Sequence, residues 1–106
     1  MFYKKNSDHY RQGPPGVTFK TLTYGKRTSL GEFRLKKGRV IPAHTHPHEQ
    51  IGYLISGHVI FYIAGEKYDT RPGDSWCIPG GIEHKVDILE DSLVIEVFSP
   101  VRDEYL

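Results

Sequence analysis

Turn-forming residues interrupt this chain at short, fairly even intervals, and this punctuation limits what it can fold into more than any other feature. The breaks are Gly25, Lys37-Gly38, Ser56-Gly57, Ala64-Gly65-Glu66, Arg71-Pro72-Gly73-Asp74, Pro79-Gly80-Gly81 and Glu90-Asp91. Glycine supplies left-handed backbone and proline fixes φ, so both end regular structure. The segments between them are short for helices and carry alternating rather than helical patterns. From Val17 to Tyr24, for instance, Val17, Phe19, Thr21 and Thr23 alternate with Thr18, Lys20, Leu22 and Tyr24, all but Lys20 good β-formers or neutral ones. Strands are predicted over 17–24, 28–37, 50–56, 58–64, 67–70, 75–78, 83–89 and 92–99. So many short strands at even spacing imply an all-β sandwich or barrel.

A chain of 106 residues, 38% hydrophobic and 25% charged, builds one such domain and leaves no room for a second core. The expected organisation is an N-terminal arm or edge strand over 1–16, ending in Gly13-Pro14-Pro15-Gly16, and a single barrel domain over 17–106. A formal charge of +1 lacks the basic footprint of a nucleic-acid binder. The apolar runs fall far short of the roughly 20 residues that span a bilayer, so no membrane partner is expected. The opening Met1-Phe2-Tyr3-Lys4-Lys5 does not read as a secretory signal, and the lone Cys77 agrees with a reducing compartment. The expected location is therefore the cytoplasm, with Cys77 as a small core residue.

The six histidines carry the chemistry. His44, His46 and His48 crowd behind Pro42, and His84 follows Pro79-Gly80-Gly81 far along the chain. On extended backbone, residues two apart point to one side, so His44 and His46 can aim their rings at one point. A third ligand must come from a distant strand, and His84 stands between a turn and an apolar strand. His9 in the arm and His58 at a strand start are expected to face solvent.

These residues resemble a known family. Gly38, His44, Thr45, His46, Gln50 and Gly57 are spaced like the first motif of the cupins, and Gly73, Pro79, Gly80, Gly81 and His84 like the second. Two positions depart from the pattern: Gln50 stands where glutamate is usual, and Ile88 where asparagine is frequent. The resemblance implies a small cupin double-stranded β-helix, a jelly-roll barrel, with His44, His46, Gln50 and His84 holding a divalent metal in its lumen. Small cupins are commonly homodimers, and the Pro-bounded arm could add a strand to a neighbour's sheet.

Gln50 changes the physics of such a site. Three imidazoles and an amide oxygen are all neutral, so the ion's charge is uncompensated and anionic ligands are favoured. Glu49 is the rival fourth ligand, but strand parity places it opposite Gln50. Imidazole-rich ligation suits Zn, Ni, Fe or Cu, with Mn also compatible.

In the last predicted strand, Leu93, Ile95 and Val97 form one face and Val94, Glu96 and Phe98 the other, which puts an acid on an inward face. The segment from Glu96 through Phe98 and Arg102 to Tyr105 resembles the C-terminal segment of cupins from pectin degradation, which ketonise 4,5-unsaturated monouronates and also use glutamine as a metal ligand. Where those proteins have aspartate, this chain has Glu96. The resemblance implies Glu96 and Arg102 as catalytic residues, with Arg102 and Phe98 binding a small anionic carbohydrate. The expected function is metal-dependent ketonisation or isomerisation of an unsaturated uronate. Two other readings are a metal-dependent dioxygenase and a non-catalytic cupin that binds a metal and a small ligand.

Overall fold

The computed structural model describes residues 1–106. Eight strands follow one another: β1 (Arg11–Gln12), β2 (Val17–Tyr24), β3 (Ser29–Leu35), β4 (Val40–His44), β5 (Glu49–Ile63), β6 (Glu66–Thr70), β7 (Ser75–Ile78) and β8 (His84–Ser99), before a 3-10 turn at Asp103–Tyr105. The sheet runs β1-β2-β3-β8-β5-β6, with β4 paired to β8 and β7 to β5. Every pairing is antiparallel. This is the all-β jelly roll expected. No helix is long and apolar enough to cross a membrane.

The partition into strands differs from expectation in three places. The predicted strands 50–56 and 58–64 are one strand, β5, and 83–89 and 92–99 are one strand, β8. Gly57 and Glu90-Asp91 bend these strands without ending them, because register shifts around Ser56 and His58 absorb the kink as bulges. At the bend the chains nearly touch: a Cβ on Gly57, whose φ is +100°, would come within 2.1 Å of Ser92 Oγ. Ser92 Oγ accepts from the His58 backbone N–H and donates to Glu90 O, joining the two bends. The third difference is β4, unpredicted because Pro42 lies inside it. Proline is tolerated there because β4 pairs only with β8 and the register slips between Ile41 and His44.

The arm departs from a free extension at β1, which pairs with β2 of its own chain. Farther out, the Tyr10 hydroxyl donates to Glu32 and Lys20 bonds Asn6. Cys77 is exposed, not in the core, because strand parity on β7 turns Ile78 inward instead.

The core follows the period of two. Val17 and Phe19 of β2, Phe33 and Leu35 of β3, Val86 and Ile88 of β8 and Val94 and Phe98 farther along β8 all point inward. Burying such side chains contributes about 1.5–3 kcal/mol each. The inward rows of β4, β5 and β8 also carry polar residues, His44, Gln50, His84 and Glu96, and these meet in one cavity.

Candidate metal centre

His44 ends β4 and His84 begins β8, and the two are partners in the β4–β8 ladder. Their ring centroids lie 4.2 Å apart. His46, in the loop that follows β4, brings its ring to 4.9 Å from that of His84 and 5.8 Å from that of His44. One ligand atom from each of the three lies within 4.8 Å of the others.

Backbone carbonyls set the chemical state of these rings. Nδ1 of His44 lies 2.8 Å from Pro42 O, and Nδ1 of His84 lies 2.9 Å from Ile82 O. A carbonyl oxygen can only accept, so Nδ1 carries the proton in each ring and Nε2 keeps its lone pair for the centre. His84 Nε2 is buried and has no hydrogen-bond partner in the chain. Burial pushes the His84 pKa down to about 4 and lowers that of His46, the Arg102 charge adding to both, so both rings are held neutral.

His46 shows why a cation fits. Its Nδ1 is 3.0 Å from His48 O, and its Nε2 is 3.0 Å from Gln50 Oε1. A neutral imidazole has one N–H and cannot donate to both oxygens. With Nδ1–H bonded to His48 O, the Nε2 lone pair faces the Oε1 lone pair. Turning the amide over would instead set its oxygen toward Glu96. A metal ion that accepts both lone pairs removes the conflict, and the donor set of three imidazoles and an amide suits Zn, Ni, Fe, Cu or Mn. Gln50 is buried at 5% exposure and lines the cavity, whereas Glu49 is exposed. Parity on β5 thus brings the amide to the centre and turns the neighbouring acid away.

The cavity holds about 380 Å³ and is mostly apolar, with walls from Val17, Phe33, Val94 and Phe98. His44, Gln50, His84, Glu96 and Arg102 converge in it. Glu96 sits between Gly31 of β3 and Gly52 of β5 in the ladders, neither of which adds a side chain beside it. Gly52 is bare for a physical reason: a Cβ there would lie 2.2 Å from the Trp76 indole. Burial raises the Glu96 pKa to about 7, with Gln50, Arg102 and the Trp76 indole opposing it. Without a metal the carboxyl is poised between acid and anion at neutral pH. Trp76 Nε1–H is buried without a hydrogen bond of normal geometry. Arg102 completes the wall, its guanidinium carbon 4.9 Å from the Phe98 centroid and 4.1 Å from that of Tyr105.

The match to the cupin domain family covers residues 31–99. The chain belongs to the cupin family. The cupin is 31% identical over 93 residues to the pectin degradation protein KdgF of Dickeya dadantii, a match that takes in 86% of this chain and 84% of that protein. It superposes on the solved structure of KdgF from Halomonas sp. with a TM-score of 0.92 and 32% identity, covering 100% of both chains. A shorter stretch of 59 residues is 36% identical to the acireductone dioxygenase of Bacillus subtilis, covering 51% of this chain and 33% of that enzyme.

The cupin brings together the residues singled out from its sequence: His44, His46, Gln50, His84, Glu96, Phe98 and Arg102. His9 is exposed in the arm as expected. His58 is not solvent-facing: it is half-buried on the β5–β6 edge, paired with Asp69. His48 keeps out of the cavity, its Nδ1 buried without a partner. Trp76 beside Glu96 and Tyr105 over Arg102 were not expected at the site. Gly52 within a strand was the available signal for the first, since interior glycine marks close approach. No local pattern marks Tyr105, which reaches the site only through the fold of the C-terminal turn.

Proposed function

We propose that this cupin is a metal-dependent isomerase that ketonises an unsaturated uronate. The observation that carries the reading is the presence, in one cavity of about 380 Å³, of His44 and His84 from the three-histidine cluster, an inward acid at Glu96 and a guanidinium at Arg102. The similarity to KdgF over most of both chains supports the same substrate class.

The reaction moves protons and loses no atoms. Opening of the unsaturated ring yields an enol; a proton leaves oxygen, another arrives at the adjacent carbon, and a ketone results. A divalent ion held by His44, His46, His84 and Gln50 supplies Lewis-acid polarisation of a substrate oxygen. Arg102 grips the sugar carboxylate by charge-assisted hydrogen bonds, which fix its orientation. Phe98 presents an apolar wall to the ring. Glu96, buried in the cavity wall, takes and returns the proton, and a general acid-base group in such a position contributes about 10²–10⁴-fold.

Incubation of metal-analysed protein with a 4,5-unsaturated monouronate, following ultraviolet absorbance, tests this directly. Loss of the absorbance under both aerobic and anaerobic conditions is the expected result; no loss with metal-loaded protein overturns it. The acireductone dioxygenase similarity favours a second reading, oxygenation at the same three-histidine cluster. Turnover that requires oxygen would establish that reading in place of the first.

A further inference from the structure

Arg102 is held on three sides before any ligand arrives. Two are the aromatic rings of Phe98 and Tyr105, which meet edge to face with centroids 5.8 Å apart, and the guanidinium lies in the corner they form. The third is Glu104, whose Oε1 accepts from Arg102 Nε–H at 2.7 Å. The terminal nitrogens Nη1 and Nη2 make no hydrogen bond within the chain, and Arg102 lines the cavity. The turn bearing Glu104 and Tyr105 is itself clamped from the arm. Arg11 donates from Nη1 to Leu106 O at 3.1 Å and from Nη2 to Glu104 O at 3.2 Å. Thr21 Oγ1–H donates to Tyr105 O at 2.8 Å, and the Tyr105 ring packs 4.6 Å from that of Phe19.

We propose that Glu104 is a positioning residue: with Arg11 bracing the turn behind it, it occupies the Nε edge of Arg102 and leaves the two terminal nitrogens as the fork offered to an acidic sugar in the cavity. The inference rests on the reading of Arg102 as the carboxylate-binding group. A guanidinium can grip a carboxylate along its Nε edge or across its two terminal nitrogens. Glu104 removes the first option and so selects the direction of approach. An arginine fixed beforehand also loses less rotamer freedom on binding. The Glu104 side chain is 53% exposed, so solvent screens its charge and its geometric effect outweighs its repulsion of an anion. The arm thereby acquires a role at the site through Arg11, though Arg11 is no part of the cavity wall.

The test measures binding of D-galacturonate, and of D-galactose as an uncharged control, to metal-loaded protein by calorimetry. Glu104→Ala should weaken galacturonate binding about tenfold and leave galactose binding and the melting temperature unchanged. Glu104→Gln, which keeps an acceptor oxygen at the same reach, should restore most of the loss. Arg11→Gln should weaken galacturonate binding in the same direction by a smaller factor. Equal or tighter galacturonate binding by Glu104→Ala overturns the proposal, as does equal weakening of both sugars. Arg102→Ala separates the two levels. If it binds galacturonate as the wild type does, or if the wild type does not bind it, the carboxylate role of Arg102 falls and the proposal with it. If Arg102→Ala loses binding but Glu104→Ala does not, only the positioning role falls.

Discussion

His44 and His84 face each other as register partners across the β4–β8 ladder, with ring centroids 4.2 Å apart. This pair is therefore built on two hydrogen-bonded strands, and each ring is oriented by a carbonyl two residues before it, Pro42 O for one and Ile82 O for the other. Such a pair is set before any ion binds, since neither ring has to turn to present Nε2.

Replacing both His46 and His84 by alanine should abolish stoichiometric metal binding, measured as metal per chain after dialysis. Gln50→Ala should weaken it without abolishing it, because three imidazoles remain, each with a backbone carbonyl at Nδ1 that fixes its tautomer. Because an ion that binds only the folded chain stabilises it by about 2.7 kcal/mol at a hundredfold excess over Kd, chelation should lower the melting temperature by roughly 10–20 °C. An unchanged melting temperature on chelation would contradict a metal centre in the core of the barrel.

Glu96→Gln should retain the metal and lose ketonisation, because it keeps the shape of the side chain and deletes its titratable proton. Arg102→Ala should raise KM at least as much as it lowers kcat, since the carboxylate contact is made in ground and transition states alike. A desolvated charged contact of this kind is worth about 2–4 kcal/mol, or roughly 30- to 1,000-fold in kcat/KM. Steady-state kinetics of the two variants separates the roles; full turnover by Glu96→Gln would move the proton transfer to another group.

The metal-free chain should show two opposed pH effects on stability. His84 has its pKa lowered from 6.5 to about 4 by burial, so its contribution is complete above pH 6.5 and is lost as pH falls toward 4. Glu96 has its pKa raised from 4.5 to about 7, so its contribution is complete below pH 4.5 and is lost as pH rises through 7. Between pH 4.5 and 6.5 the His84 and Glu96 slopes oppose each other, and the lowered pKa of His46 adds to the histidine side. In Glu96→Gln only the histidine slope is left, and stability should climb with pH across that window. Urea midpoints at three pH values check this, and a flat profile in the variant would contradict it.

Gly57→Ala should cost about 3 kcal/mol or more, whereas Gly38→Ala should cost about 1–2 kcal/mol. Both glycines have positive φ, but a Cβ at Gly57 meets Ser92 Oγ at 2.1 Å and Asp91 O at 2.5 Å, while nothing lies within 4 Å of one at Gly38. Equal urea midpoints for the two variants would show that the close crossing of β5 and β8 is not a tight constraint.

The fold class, the inward row of β8 and the identity of the histidines that cluster were all legible in the order of residues. Turn chemistry and a period of two are local properties, legible wherever neighbouring residues decide the backbone and one face is buried. They do not reveal how far a strand continues past a bend, so Gly57 and Glu90-Asp91 read as ends when they are kinks. Strand parity already opposed Gln50 to Glu49, but tertiary structure made the Gln50 face the one that lines the cavity, by setting β7 and β8 on either side of β5. It also decided that Arg102 is gripped by Glu104 and Tyr105, and that Arg11 braces the turn that carries them. The physical reason is closure of the barrel. Side-chain chemistry is written residue by residue, but distances between remote residues exist only once β8 has paired with β3, β4 and β5 and brought its two ends to the same cavity.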